Sequence, residues 1–449
     1  MVKDMTQGNP LKLILGFAVP MLIGNIFQQI YNLVDAAVVG RYVGENALAA
    51  VGSTGSMLFF LVAFVGGLSG GAGIIIAQYF GSKRYDSLKK TVVALFYITT
   101  ILTAVSMLIG NLGLDFFLKV LEVPVENNVR ADAKSYMNIM FKFIFGMTAF
   151  NALASILRSV GDSKTPLYAL SVASVLNIGL DLLFVIKFDM GVEGVAYATI
   201  IAQLASAFIC FIQLIRHRKE MYLTDIEWKP DMRIVWLIIK TGIPSAFQSC
   251  MISLGGMSVQ RLVNAAGSSA IAAYTASTKI DTIAIQVIVS IGMSLSVFAG
   301  QNVGIGDYDR IKKALKQTLI VMVGASAAIA IIVLFTKSFL LTIFLDPSTA
   351  GEAMKIGETY LSIIGVAYVI AGIMQSYQNV IRGAGDVEIC MVAGLAELGA
   401  RILFAYLLVG PLGITGIWLA TPLSWGCGCI IPVVRYYSGK WKLKRISTE

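Results

Sequence analysis

Twelve stretches of this chain are each long and apolar enough to cross a hydrocarbon layer, which takes roughly 20 residues of helix. They lie near residues 11–40, 46–80, 88–112, 136–158, 167–186, 191–215, 233–264, 270–302, 316–336, 359–383, 388–409 and 413–437. Lipid offers the backbone no hydrogen bonds, so stretches of this kind satisfy their amides internally, as helices. Only 14% of the 449 residues are charged and 57% are hydrophobic, whereas a water-soluble globule carries about a quarter charged residues. The connections are too short to fold a catalytic or nucleotide-binding domain, and no Walker A loop is present. The first block carries Asp35, exceeds a signal-peptide core and lacks a convincing cleavage site, so it reads as a retained helix. The expected fold is an all-α polytopic membrane protein.

The formal net charge of +9 is distributed as a membrane protein distributes it. With both termini inside, 23 lysines and arginines fall on the inner side and 8 on the outer, with four left inside the blocks. That bias places the termini and the 216–231 linker in the cytoplasm and the chain in the cell (inner) membrane, and it leaves no reason to invoke nucleic acid. The five cysteines, Cys210, Cys250, Cys390, Cys427 and Cys429, all lie in apolar blocks without metal-ligand spacing and read as reduced packing residues. His217, the one histidine, sits in the linker, which removes a histidine metal site. No His, Ser-Lys or metal constellation suggests an enzyme, and no cofactor is expected.

The chain also repeats itself. AQYFGSKRYDSLKK at 77–90 lies over GQNVGIGDYDRIKK at 300–313 at an offset of 223, pairing Gln78 with Gln301, Tyr85 with Tyr308 and Asp86 with Asp309. Arg158-Ser-Val-Gly161-Asp162 lies over Arg382-Gly-Ala-Gly385-Asp386 at 224, the offset that also relates Pro20 to Pro244, while Thr199 pairs with Thr421 at 222. Each copy holds six spans, an even number, so the copies are parallel repeats related by an axis along the membrane normal. The expected division is an N-terminal six-helix lobe at 1–215, a cytoplasmic linker at 216–231, a C-terminal lobe at 232–437 and a basic tail at 438–449, with a cavity between lobes that alternate access.

A charge at membrane depth costs at least roughly 2.5 to 3.5 kcal/mol on insertion scales, and only four acids lie there: Asp35, Asp181, Asp281 and Glu397. Gln28, Tyr31 and Asn32 precede Asp35 by seven, four and three residues, which makes one polar stripe on the first helix. Asn177 and Asp181 are one turn apart in the fifth block, and Thr199 in the sixth adds a hydroxyl. Two carboxylates, an amide and a hydroxyl suit a small hard cation; without one, two close carboxylates in low dielectric cannot both ionise, and one holds a proton. A polar network that only glues helices is the competing reading. Glu397 and Arg401, four apart, form an intrahelical pair read as structural, whereas Lys279 and Asp281 point to different sides of their helix. Pro20 should bend the first helix. Gln28, Tyr31, Asn32, Asn151, Gln248 and Gln375 are candidates for a substrate cavity. The seventh and tenth blocks hold no mid-membrane acid, and their glutamines line a neutral half of that cavity or bond helix to helix. The small-residue run VGGLSGGAG at 65–73 reads as close helix packing. Phe141, Phe145, Tyr168 and Tyr274 either stack on a flat cationic compound or face lipid.

Tyr31-Asn-Leu-Val-Asp35-Ala-Ala-Val-Val-Gly40, followed by Glu45-Asn-Ala-Leu-Ala-Ala50-Val-Gly52, resembles the first-helix signature of the multidrug and toxic compound extrusion (MATE) family, and the repeated Arg-x-x-Gly-Asp and Gln-x-x-Gly turns resemble its loops. The resemblance spans essentially the whole chain. It implies a twelve-helix antiporter that exports small organic, mainly cationic compounds in exchange for H+ or Na+, as a monomer in contact with membrane lipids. By the same resemblance Asp35, Asn177, Asp181 and Thr199 fall on the family's N-lobe cation positions. The absence of acids from the seventh and tenth blocks, where members using a C-lobe cation site carry them, places the chain nearer the DinF-like branch, coupled through its N-lobe. The alternative is a flippase for a lipid-linked or polysaccharide precursor, a cargo that asks for several bases in the cavity, where only Lys279 and Arg401 qualify.

Overall fold

The computed structural model describes residues 2–120, 128–348 and 350–446, so the last three residues of the expected tail lie outside the described residues. The chain is helical almost throughout, and no strand occurs among the described residues. In the first repeat the helices are α1 (Pro10–Val38), α2 (Glu45–Gly81), α3 (Tyr85–Leu112), α4 (Leu114–Val120), α5 (Val129–Lys142), α6 (Phe145–Ser159), α7 (Lys164–Asp181) and α8 (Gly191–Arg216). In the second they are α9 (Met232–Ala265), α10 (Ser268–Ile305), α11 (Tyr308–Thr342), α12 (Gly351–Gly383), α13 (Val387–Leu412) and α14 (Ile414–Tyr437). Eleven of these segments have span length and hydropathy; α5 and α6, bent 48° at their junction, make the twelfth as a pair. A continuous span over 136–158 was expected. The break arises because the helical ladder stops at Phe143, whose amide still reaches Ile139, and restarts with Ile144 accepting from Thr148.

The chain divides into two compact units, Met1–Asp4 with Pro20–Ala246, and Met5–Val19 with Phe247–Glu449. This differs from a division at the linker in two related places. Helix α1 runs unbroken through Pro20 and α9 through Pro244, yet residues up to Val19 belong to the second unit and residues up to Ala246 to the first. Each unit therefore takes in the opening half-helix of the other repeat.

Within the first unit small residues make that arrangement possible. A Cβ at Gly67 would lie 2.3 Å from the Ala246 Cα, and one at Gly71 would lie 2.5 Å from the Gly242 Cα. Gly67 and Gly71 on α2 thus face Gly242 and Ala246 on α9, one small-xxx-small face on another. The 65–73 run is indeed a packing surface. In the second unit Ser294 Oγ donates to the Ile14 carbonyl at 2.6 Å, so α10 grips the opening half of α1 in the same way.

Each repeated turn packs against a terminal segment of its own unit. Gly161 and Gly385 have φ of +90° and +92°, a conformation that glycine, lacking a Cβ, adopts at little cost. The first turn receives the Lys3 amide on Val160 at 3.2 Å, and the second packs under Ile446 and Lys444. Gln301 accepts from the Met5 amide at 2.8 Å, and Tyr308 donates to the Lys442 carbonyl at 3.0 Å.

Candidate functional site

Two helices that run in the same direction build the site. Gly24 on α1 packs against Leu167 and Leu170 of α7, and one turn on Ser174 Oγ donates to the Phe27 carbonyl at 2.9 Å. Continuing two turns along both helices carries α1 to Asp35 and α7 to Asp181, where the two carboxyls face one another and Asp35 also meets Thr199 of α8. Beyond each acid the helix widens into a π-turn, at Val39–Val43 one turn past Asp35 and at Leu182–Lys187 directly after Asp181. Such turns recur at functional sites because they re-aim side chains at the junction. Around them Val38, Val39, Tyr136, Val185, Val195 and Ile200 form part of one buried apolar cluster, so the acids stand in a medium of low polarity.

Asn177 and Asp181 are fully buried, and Asp35 and Thr199 are half-buried. Seven buried polar atoms here have no hydrogen-bond partner: Asp35 Oδ1, both amide atoms of Asn177, both oxygens of Asp181, Thr199 Oγ1 and Gln203 Oε1. Ionised carboxylates only accept, so two that face each other need a proton or cation between them. Each unpartnered buried group costs about 1–3 kcal/mol, which makes this the least satisfied region of the unit. The donor set, oxygens from two carboxylates, an amide and a hydroxyl, fits a small hard cation. Among the described residues no group of three or more His, Cys, Asp or Glu side chains could hold a metal ion.

The rest of the α1 stripe is split. Tyr31 is buried beside Gln28 and accepts from Gln203 Nε2 at 3.3 Å, while Asn32 is exposed. Gln203 and Tyr136 were not anticipated from sequence. Gln203 stands one turn beyond Thr199, a signal that was available, whereas Tyr136 reads as one more aromatic in an apolar block. Asn151 is half-buried on α6 and donates to the Met147 carbonyl at 2.9 Å. Phe141 is buried, Phe145 and Tyr168 are exposed, and Tyr274 stacks on Trp418 at 5.4 Å.

In the second unit the candidate glutamines and the membrane-depth acids find protein partners. Gln248 is 3% exposed and accepts from Arg382 at 2.7 Å, and Gln375 accepts from Asn379 at 2.9 Å. Asp281 accepts from Tyr368 at 2.8 Å, and Lys279 is exposed. Glu397 pairs with Arg401 at 2.6 Å with 11% of each side chain exposed, and Arg401 also donates to Ser424 at 3.3 Å. At the offset of 224 Arg401 corresponds to Asn177 and Gly255 to Tyr31. The Arg401 guanidinium lies 3.2 Å from where a Cβ on Gly255 would be.

The MatE family model matches residues 20–183 and again 244–407, two segments 224 residues apart that begin at the paired prolines. The chain belongs to the MatE family. Among MatE relatives, "Probable multidrug resistance protein YoeA" of Bacillus subtilis is 29% identical over 96% of this chain and 94% of its own length. "Probable multidrug resistance protein YpnP" of the same organism is 28% identical over 99% of each. A solved structure described as the outward-facing conformation of a multidrug resistance MATE family transporter superposes with a TM-score of 0.90 at 22% identity, over 98% of each chain. The MatE fold of two pseudosymmetric six-helix lobes is therefore that of this chain, a multi-pass membrane protein.

Proposed function

We propose that this protein is a secondary antiporter that exports small organic, mainly cationic compounds by alternating access, in exchange for H+ or Na+ bound at Asp35, Asn177, Asp181 and Thr199. Relatives named multidrug resistance and multidrug export proteins support the efflux reading. The observation that carries the coupling site is the set of seven unpartnered polar atoms on α1, α7 and α8, because that site is completed by the arrival of a proton or a cation. The equivalent place in the second unit already contains Arg401 neutralised by Glu397, which favours coupling through the first unit, as in the DinF-like branch. The tie between Arg401 and Glu397 also leaves a flippase for phosphorylated cargo without one of its two candidate bases.

Orientation follows the charge bias, with termini and linker cytoplasmic in the cell membrane. Gln28, Tyr31, Asn32 and Asn151 are the proposed polar contacts for cargo. Movement of α1 about Pro20 would carry Asp35 relative to the opening half-helix held by Ser294. The test is transport in vesicles with imposed proton or sodium gradients. Asp35→Asn keeps the shape while fixing the site neutral, so the variant should insert and melt like the parent yet lose gradient-driven export. Linkage requires that saturating substrate release the coupling ion from the purified parent and not from Asp35→Asn. Undiminished coupled export by Asp35→Asn would sink the proposal.

A further inference from the structure

The 216–231 linker does more than join two repeats. It folds back over the start of α3: Tyr222 stacks on Tyr85 at 3.6 Å, Trp228 meets Phe96 edge-on at 5.4 Å, and the Trp228 carbonyl accepts from Tyr97 at 3.0 Å. Together with the last turns of α8 it borders an open cavity of about 1290 Å³ within the first unit. Five bases and two acids line that cavity, and Lys83, Arg218 and Lys219 have no acidic partner among the described residues. Asp86, by contrast, is paired with Lys89 at 3.8 Å. Three of the five described non-glycine residues with positive φ, Lys83, Tyr222 and Asp225, lie on its wall. Backbone held in that region costs about 1–3 kcal/mol per residue and persists where the surroundings over-determine it, which a plain tether does not require.

One side of the cavity is apolar. Phe211, Ile215 and Trp228 contribute to its wall and remain 48%, 46% and 58% exposed, and Phe211 and Ile215 continue the lipid-facing side of α8 that carries Phe208, 63% exposed. We propose that this cavity is a binding site for an anionic phospholipid, its phosphate held by Lys83, Arg218 and Lys219 and its first acyl segments lying along Phe211, Ile215 and Trp228. A basic wall beside a membrane-facing apolar wall matches an amphiphile with a negative head. The site is independent of the ion-coupling reading, since none of its residues belongs to the Asp35 cluster.

The phosphate could come from a lipid headgroup or from a soluble phosphate ester, and the experiment separates these sources. Purified protein in detergent is titrated with fluorescent short-chain phosphatidylglycerol, with phosphatidylcholine of the same chains, and with glycerol 3-phosphate as competitor. The parent should bind phosphatidylglycerol at least tenfold more tightly than phosphatidylcholine. Lys83→Gln/Arg218→Gln/Lys219→Gln should lose roughly tenfold to hundredfold, as three surface bases would supply, with an unchanged melting temperature. Lys312→Gln/Lys313→Gln/Lys316→Gln, which removes three bases elsewhere, should bind like the parent, and millimolar glycerol 3-phosphate should not displace the lipid. Equal loss in the two triple variants, no loss in the first, or displacement by glycerol 3-phosphate would each overturn the assignment.

Discussion

The contact of α2 with the first half of α9 offers a quantitative test of how the first unit is assembled. In Gly71→Ala the new methyl carbon would start 2.5 Å from the Gly242 Cα, 2.6 Å from its nitrogen and 2.8 Å from the Thr241 carbonyl carbon. Carbon pairs rest at about 3.5–4.0 Å, so the two backbones must part by about 1 Å along this seam. No flexible side chain can yield instead, because every neighbour is main chain. Overpacking costs about 1–3 kcal/mol, and backbone neighbours place this case at the upper end. Against it stands the helix preference of Ala over Gly, about 1 kcal/mol. The net expectation is a loss of about 1–2 kcal/mol for Gly71→Ala and a similar loss for Gly67→Ala. Gly70→Ala is the internal control, since nothing lies within 4 Å of its Cβ position; it keeps only the helix term and should be neutral or slightly stabilising. Thermal unfolding of the detergent-solubilised variants reads the difference. If Gly71→Ala melted at or above Gly70→Ala, the seam would not be the tight backbone contact described, and the transfer of residues 232–246 to the first unit would lose its physical basis.

Glu397→Gln should destabilise the protein by about 3 kcal/mol in the same melting assay, because it leaves a buried guanidinium without its counter-charge; Glu397→Leu with Arg401→Met should recover most of that loss, and coupled export should survive where Asp35→Asn abolishes it. Pro20→Ala should slow export in the vesicle assay while leaving the melting temperature near the parent's, and a parental rate would make the proline passive. The Lys134 ammonium, 2.8 Å away, together with the charges of Arg130 and Lys119, holds the Asp115 carboxyl below the ordinary carboxylate range. A depressed folded value means that its contribution is present above the unfolded pKa and fades as pH falls through the folded one, so a carbon-13 titration of Asp115 should show a midpoint below about 3.9, restored towards that value in Lys134→Gln. On a cysteine-free background, Ser348→Cys should react with an impermeant thiol reagent applied to intact cells and Ser438→Cys should not; the reverse pattern would invert the orientation.

Most of the architecture could be read from residues because the signals are local. Hydropathy gives the length of a span, and the paired Gly161-Asp162 and Gly385-Asp386 turns repeat because only glycine sits comfortably at their φ. The Asp35, Asp181 and Thr199 grouping was legible for a different reason: acids are so costly in lipid that few places can hold them. What stayed hidden depends on neighbours. Pro20 was read as a bend in the first helix; α1 and α9 run on through Pro20 and Pro244, and near each proline the chain passes from one unit to the other. No periodicity encodes that, although the small faces of Gly67 with Gly71 and Gly242 with Ala246 hint at it. Gln248 and Gln375 carry the residue type of a cavity wall but spend their oxygens on Arg382 and Asn379; Asn379 lies one turn on along the same helix, whereas Arg382 comes to Gln248 from another helix, which the sequence around Gln248 does not reveal.

The two units use one helical plan to opposite electrostatic ends. Thr199 and Thr421 correspond, as do Asn177 and Arg401, so the scaffold presents the same positions twice. In the first unit those positions carry a hydroxyl and a neutral amide beside Asp35 and Asp181, with oxygens that lack partners. In the second, a guanidinium fixed to α13 has its own carboxylate one turn away, and Gly255 leaves room for it where the first unit has Tyr31. A covalently tethered cation cannot leave, so the second site is always in the filled state that, on the proposed mechanism, the first would reach by taking up a proton or an ion. Two exchangeable sites would let substrate binding be coupled to either; on the proposed mechanism, one exchangeable and one permanently satisfied site would confine the coupling free energy to α1 and α7. That asymmetry, on a backbone that is otherwise repeated, is the physical reason to look for the ion at Asp35 and not at Asp281 or Glu397.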